Sequence, residues 1–104
     1  MSPTDLAKRL NAGEKLHLLD VRGEDEFSVA SLPDSRLLPL HELQARVNEL
    51  VEWQDEEVVV YCHHGVRSLS AISFLSQFGF KQLFNLDGGI DRWSLEVDSA
   101  VTRY

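Results

Sequence analysis

The sequence predicts an α/β domain built as an open sheet of parallel strands with helices on both faces, and three observations predict it. Val58-Val59-Val60-Tyr61 is β-branched or apolar at every position, so both faces of that strand need a cover, as they do in the middle of a parallel sheet. Short apolar segments alternate with helical patterns along the chain, and strands joined in that way pair in parallel through right-handed crossovers. A chain of 104 residues with 43% hydrophobic residues can bury one core and is too short for two, so residues 1–104 read as a single domain.

The elements follow in order. Ser2-Pro3-Thr4-Asp5 carries a helix start, with Ser2 as N-cap, Pro3 in the first helical position and an acidic residue in the first turn; Leu6 and Leu10 give the apolar face and Gly13 the stop. His17-Leu18-Leu19-Asp20-Val21 suits a buried strand that ends in a polar turn at Gly23, and a brief helix is predicted over Glu24 to Val29. Pro33 and Pro39 bracket Asp34 to Leu38 and permit little more than a short extended piece. Leu43, Val47, Leu50 and Val51 recur at helical spacing among charges, which predicts an amphipathic surface helix from His41 to Glu52. After the central strand, Ala71, Ile72, Leu75 and Phe78 predict a helix over Ser68 to Phe78, closed by Gly79. Leu83 to Leu86 reads as a strand, Asp87-Gly88-Gly89 as a turn, and Ile90 to Trp93 as a short helix.

Charge and composition remove several function classes. The net charge of -7, with Lys and Arg scattered, leaves a surface that repels phosphate backbones and anionic lipid, so neither a nucleic acid nor a membrane is an expected partner. No apolar run approaches the roughly 18 to 20 residues that span a bilayer, and Met1 to Asp5 lacks the basic and apolar regions of a signal peptide. The expectation is a cytoplasmic monomer. One cysteine cannot close an internal disulfide, which agrees with a reducing compartment and draws attention to the thiol itself.

That thiol, Cys62, stands between the end of the best strand and the start of a helix, in the loop Cys62-His63-His64-Gly65-Val66-Arg67 followed by Ser68. Ligands of open parallel sheets bind beyond the carboxyl ends of the strands, and this loop is there. The first amides of a helix have no internal partner and carry the positive end of its dipole, so an anion cradled there is stabilised. A cysteine so placed has its pKa lowered from about 8.5 into a range of roughly 3.5 to 7.5. Gly65 lets the backbone turn its amides inward, and Arg67 adds a permanent forked cation suited to an oxyanion. The product is an anion pocket with a nucleophile at its floor, fit to attack a sulfur or phosphorus centre bearing oxygens. The amides from His63 to Ser68 line that pocket, and the imidazoles of His63 and His64, near a pKa of about 6.5, are expected to add positive charge at its mouth. Neighbouring histidines do not wrap one ion tetrahedrally and no second ligand pair has suitable spacing, so neither a metal nor another cofactor is expected.

Asp20-Val21-Arg22 with Glu26-Phe27, Leu32-Pro33 before Leu38-Pro39-Leu40, the loop Tyr61-Cys62 to Arg67-Ser68, and Gly79-Phe80 leading to Leu86-Asp87-Gly88-Gly89-Ile90-Asp91-Arg92-Trp93 together resemble a rhodanese homology domain, from about residue 4 onward. The resemblance implies an open parallel five-stranded sheet with helices on both faces. It also implies sulfane-sulfur transfer, in which Cys62 takes the outer sulfur of thiosulfate as a persulfide and passes it to cyanide or a thiol. Arg67 falls on the family's anion-binding arginine. Trp93 to Asp98 with Val101 and Tyr104 further resembles the rhodanese domain attached to adenylating enzymes, which implies a small sulfur-carrier protein as acceptor, met in trans. The chain departs from the family where Ala30-Ser31-Leu32-Pro33-Asp34-Ser35 replaces Gly-His-Ile-Pro-Gly-Ala, a change expected to act on local packing.

Other readings are weighed on the residues. A cysteine phosphatase or arsenate reductase of this fold resembles a loop with five residues between cysteine and arginine; here four intervene, and the smaller ring of amides suits sulfur better than a phosphoryl group. A thiol-disulfide oxidoreductase needs a resolving cysteine that the chain lacks. A non-catalytic binding or sensing module stays open, with Cys62 and Arg67 together arguing for activity. Asp20 and Arg22 read as a structural pair near the strand end, with Glu26 in reach to fix the first loop; Trp53 and Trp93 read as packing residues.

Overall fold

Four parallel strands in the order β2-β1-β3-β4 form the sheet in a computed structural model that describes residues 1–104. The chain runs α1 (Pro3–Asn11), β1 (His17–Asp20), α2 (Glu24–Val29), β2 (Arg36–Leu37), a 3-10 turn (Leu40–Glu42), α3 (Leu43–Arg46), a second 3-10 segment (Val47–Trp53), β3 (Glu57–Tyr61), α4 (Val66–Gln77), β4 (Gln82–Asn85) and α5 (Gly89–Glu96). β1 pairs with β3 from His17 opposite Val58 to Asp20 opposite Tyr61, so the first loop and the cysteine loop leave the sheet side by side. The class is the expected one and the strand count is four rather than five. The Met1 amino group donates to the Asn85 carbonyl and the Asp87 N–H to the Met1 carbonyl (2.9 Å each) at the end of β4, but the Ser2 cap and Pro3 turn the chain at once into α1, so these two bonds stand where a fifth strand would pair.

β3 is buried on both sides, as its composition requires. Val58, Val60 and Cys62 join Leu19, Val21, Leu43, Val47, Leu50, Ala71 and Leu75 in the core beneath α3 and α4. Val59 and Tyr61 face the other way, against Leu6 of α1 and Ile90 and Trp93 of α5. At roughly 25 cal/mol per Å² of apolar surface, two such layers account for most of what holds the fold.

Two local expectations change. The segment from His41 to Glu52 is not one α-helix but a 3-10 turn, a single α-turn and a 3-10 run. With three residues per turn, Val47, Leu50 and Trp53 fall on one side and pack inward, whereas Val51 turns out and is 46% exposed. The helix expected from Ser68 begins at Val66, which puts Arg67 in its first turn rather than in the loop before it. Ala30 to Ser35 turns the chain as expected. Asp34 takes a left-handed φ of 58° where the family has glycine, and the Tyr61 hydroxyl donates to Ser35 Oγ (3.0 Å) while accepting from the Leu32 N–H (3.2 Å). No helix is long and apolar enough to cross a membrane.

Candidate active site

Cys62 leaves the end of β3 and its sulfur is met by the backbone of the turn that follows. The Gly65 N–H approaches Sγ to 3.1 Å and the Ser68 N–H to 3.4 Å, with Ser68 Oγ also at 3.4 Å. Gly65, at φ 100°, is the residue that swings these amides toward one point, a conformation side-chain-bearing residues rarely adopt. Burial pushes the thiol pKa up, but the Ser68 hydroxyl and the amides of Ser68, Gly65 and His64 outweigh it, so Cys62 titrates below the ordinary thiol value. The Ser68 hydroxyl has one proton to give. Asn85 Nδ2 donates to the Gly65 carbonyl (3.3 Å), which turns Asn85 Oδ1 toward Ser68 Oγ, and the hydroxyl donates its proton to that amide oxygen at 2.5 Å, leaving the sulfur the longer 3.4 Å contact.

The floor of the loop is fixed by α5. The Ile90 N–H donates to the Cys62 carbonyl (2.9 Å) and the Asp91 N–H to the His63 carbonyl (3.1 Å). A Cβ on Gly89 would lie 2.4 Å from the His63 oxygen and 2.5 Å from the Cys62 oxygen, so only glycine allows the helix this close. Cys62 as a residue is 1% exposed, and Val66 on the rim is 74% exposed.

Arg67 is not above the sulfur. Its guanidinium makes a two-pronged pair with Glu26 of α2, Nη1 to Oε1 at 2.6 Å and Nη2 to Oε2 at 2.9 Å. Glu26 also ties down the first loop, as its place after Arg22 suggests: its Oε1 accepts from the Gly23 N–H (3.3 Å) and its carbonyl from Arg22 Nη1 (3.5 Å), and the Arg67 pairing is added to that role. Glu26 is held down at about 2, first by Arg67, against burial, and with help from the Tyr104 hydroxyl and the Gly23 N–H. Tyr104 Oη donates to Glu26 Oε2 (2.6 Å) and accepts from Arg22 Nη1 (2.8 Å). Arg22 and Asp20 are both fully buried and doubly bonded to each other, and Arg22 Nη2 also donates to the Ala30 carbonyl (2.6 Å), as a structural pair should.

The two histidines differ from each other and from the expectation. His63 is stacked between His64 and Tyr104, with ring centroids 3.9 Å apart on each side. Burial first, then the neighbouring His64, pushes its pKa down, so His63 adds less positive charge than expected at the mouth. His64 is exposed, with Nε2 3.8 Å from the Asp91 carboxylate. His63, His64 and Asp91 bring ligand-type atoms within 4.8 Å of one another. The two rings are stacked on each other, and Arg103 already engages Asp91 at 2.9 Å, which is a poor start for a closed shell.

Arg22, Glu26, His41 and Arg67 line a cavity of about 450 Å³ beside the loop. A larger one, about 620 Å³, lies at the opposite ends of the strands among His17, Leu18 and Trp93, away from the sulfur. Glu26, Asn85, Asp91 and Tyr104 are the site residues that sequence reasoning missed or assigned elsewhere. The signals for Glu26 were its place one helical turn past Arg22 and its part in the Asp20-Val21-Arg22 with Glu26-Phe27 pattern, and neither pointed to Arg67.

Comparison with known proteins bears on the family and the fold. The family model described as rhodanese-like domain matches residues 2–96. A protein of Allochromatium vinosum named sulfurtransferase is 37% identical over 86% of this chain and 81% of its own length. The probable adenylyltransferase/sulfurtransferase MoeZ of Mycobacterium tuberculosis is 30% identical over 100% of this chain, which spans only 26% of that protein. Among solved structures, a rhodanese-related protein of Thermoplasma volcanium superposes with a TM-score of 0.82 at 33% identity, covering 93% of this chain and 91% of the other.

Proposed function

The chain belongs to the rhodanese-like domain family, and on that premise we propose that it moves sulfane sulfur from thiosulfate or a persulfide donor through a Cys62 persulfide to a thiol, cyanide or a sulfur-carrier protein. The observation that carries the reading is the convergence of the Gly65 and Ser68 N–H groups on Cys62 Sγ. A thiolate there attacks the outer sulfur of thiosulfate. A new S–S bond forms on Cys62, the S–S bond of the donor breaks, and sulfite leaves with the electron pair.

The same amides then face the charge of the persulfide, and Arg67, once turned from Glu26, meets the departing anion. In the second half an acceptor thiolate or cyanide attacks the outer sulfur and returns Cys62 as thiolate, so the kinetics are ping-pong. Nothing in this exchange calls on a metal or an organic cofactor. The resemblance of Trp93 to Asp98 with Val101 and Tyr104 to the rhodanese domain of adenylating enzymes supports a small carrier protein as one acceptor, and the lone free thiol supports a reducing, cytoplasmic setting for a chain that works as a monomer.

Mass spectrometry after mixing with thiosulfate tests the proposal directly. One added sulfur on Cys62 is expected, together with thiocyanate formation when cyanide follows; Cys62→Ser abolishes both. A Cys62→Ser protein that turns over at the wild-type rate, or a wild type that takes up no sulfur yet cleaves an aryl phosphate, overturns the assignment.

A further inference from the structure

Arg67 is the cation of the cysteine loop, and in this structure its charge is already met, as is that of Arg22 in the same cavity, which Asp20 takes. Glu26 takes it by both oxygens, and Glu26 is held in turn by the Tyr104 hydroxyl and the Gly23 N–H at 3.3 Å. Tyr104 is itself fixed by Arg22 Nη1 and by stacking on the His63 ring at 10° between planes. The carboxylate is therefore built into the rim of the loop, anchored to both the first loop and the segment that ends at Tyr104. Its side chain is 19% exposed against 40% for Arg67, so the arginine is the freer partner and the carboxylate stays when the pair opens.

Electrostatics then constrain the donor. A group arriving at Cys62 meets the sulfur below and a carboxylate at the rim beside it, with the Arg67 guanidinium shared between them, while the Arg22 guanidinium of the same cavity is matched by Asp20. A dianion must bring a second negative charge into that set, whereas a monoanion of the same shape does not. The penalty is borne in a half-buried site where charge is poorly screened.

We propose that Glu26 is a specificity-determining residue that sets the site against dianionic sulfur donors such as thiosulfate and in favour of donors with one negative charge or none, with Tyr104 as the residue that positions it. This rests on the sulfurtransferase reading and names the donor class within it. Thiosulfate and methanethiosulfonate isolate the effect, because a methyl group in the second replaces one charged oxygen of the first while the sulfane sulfur is the same. With methanethiosulfonate the Cys62 thiolate bonds to the outer sulfur, the donor S–S bond breaks, and methanesulfinate leaves with the electron pair; charge balances as it does with sulfite.

The experiment compares the specificity constants of the two donors for persulfide formation on Cys62, followed by mass. Glu26→Gln is expected to raise the thiosulfate-to-methanethiosulfonate ratio on the order of tenfold, the effect of removing one partly screened charge from the cavity beside the loop. Glu26→Ala moves the ratio in the same direction, and Glu26→Asp, which keeps the charge, holds the wild-type ratio. Circular dichroism checks that each variant is folded. A ratio unmoved by Glu26→Gln and Glu26→Ala, or moved equally by Glu26→Asp, overturns the inference while leaving sulfur transfer intact. A wild type loaded by neither donor removes the sulfurtransferase reading and this inference with it.

Discussion

Two arginine–carboxylate pairs stand at the carboxyl ends of neighbouring strands, and they differ in almost everything except chemistry. Arg22 and Asp20, at the end of β1, are fully buried and bonded to each other through both carboxylate oxygens. Arg67 and Glu26, beyond β3, make an equally well-formed pair at the rim, where Arg67 is 40% exposed. Burial decides what each can do. A buried pair cannot open without leaving a charge in low dielectric, so it holds the first loop; a rim pair opens at small cost, so its arginine can exchange a carboxylate for a passing anion. Tyr104 joins the two by hydrogen bonds to Arg22 and Glu26.

Breaking the buried pair has the largest expected effect on the fold. Arg22→Met strands Asp20 with only the N–H of residue 22 (2.9 Å) as partner and costs about 3 to 5 kcal/mol of stability, measured by urea unfolding. For a domain whose whole stability is on the order of 5 to 15 kcal/mol, that is a large share. A loss well below that range means Asp20 finds other partners or takes up a proton, and the contrast between the two pairs weakens.

Removing the rim arginine shifts the effect from folding to donor. Arg67→Ala changes stability by less than about 1 kcal/mol, because the pair is partly solvated. The same variant loses about 1.5 to 3 kcal/mol of donor binding, the worth of a hydrogen bond to a charged group, seen as a raised KM for thiosulfate. A variant that unfolds readily but binds thiosulfate normally would place Arg67 with Arg22 as a brace.

The two pairs were not equally legible in the sequence. Asp20-Val21-Arg22 is local: two residues of one sign pattern at a strand end, and its structural role follows from that position. The thiol loop was legible for the same reason, since Val58 to Tyr61 marks a buried strand and Gly65 the turn after it. Glu26 and Arg67 are 41 positions apart and Arg22 and Tyr104 are 82, distances over which no periodicity carries information. The fold brings them together by pairing β1 with β3 in parallel, which the sequence implies only as a class. The segment from His41 to Glu52 failed differently. Leu43, Val47 and Leu50 suit an α-turn and a 3-10 run alike, and the inward packing of Trp53, with Val51 left outside, goes with the 3-10 run.

The smallest effect is a titration, and its sign separates the rim pair from the buried one. Glu26 has its folded pKa depressed to about 2 from an ordinary value of 4.5, with the Arg67 hydrogen bonds as the chief cause. A carboxylate depressed on folding adds stability that is fully present above 4.5 and disappears as pH falls through the folded value near 2. Glu26→Gln carries no such proton, so the stability gap between wild type and variant is constant above the upper limit and closes as the acid range is crossed. Part of the gap is lost to solvent at the exposed arginine, so it is modest even at neutral pH. Unfolding midpoints of the two proteins measured from neutral pH down to about 2 show the convergence. If the curves instead run parallel throughout, the Glu26 carboxylate is no more bound to Arg67 in the folded protein than in the unfolded chain, and the rim pair has no claim to hold the arginine away from the sulfur.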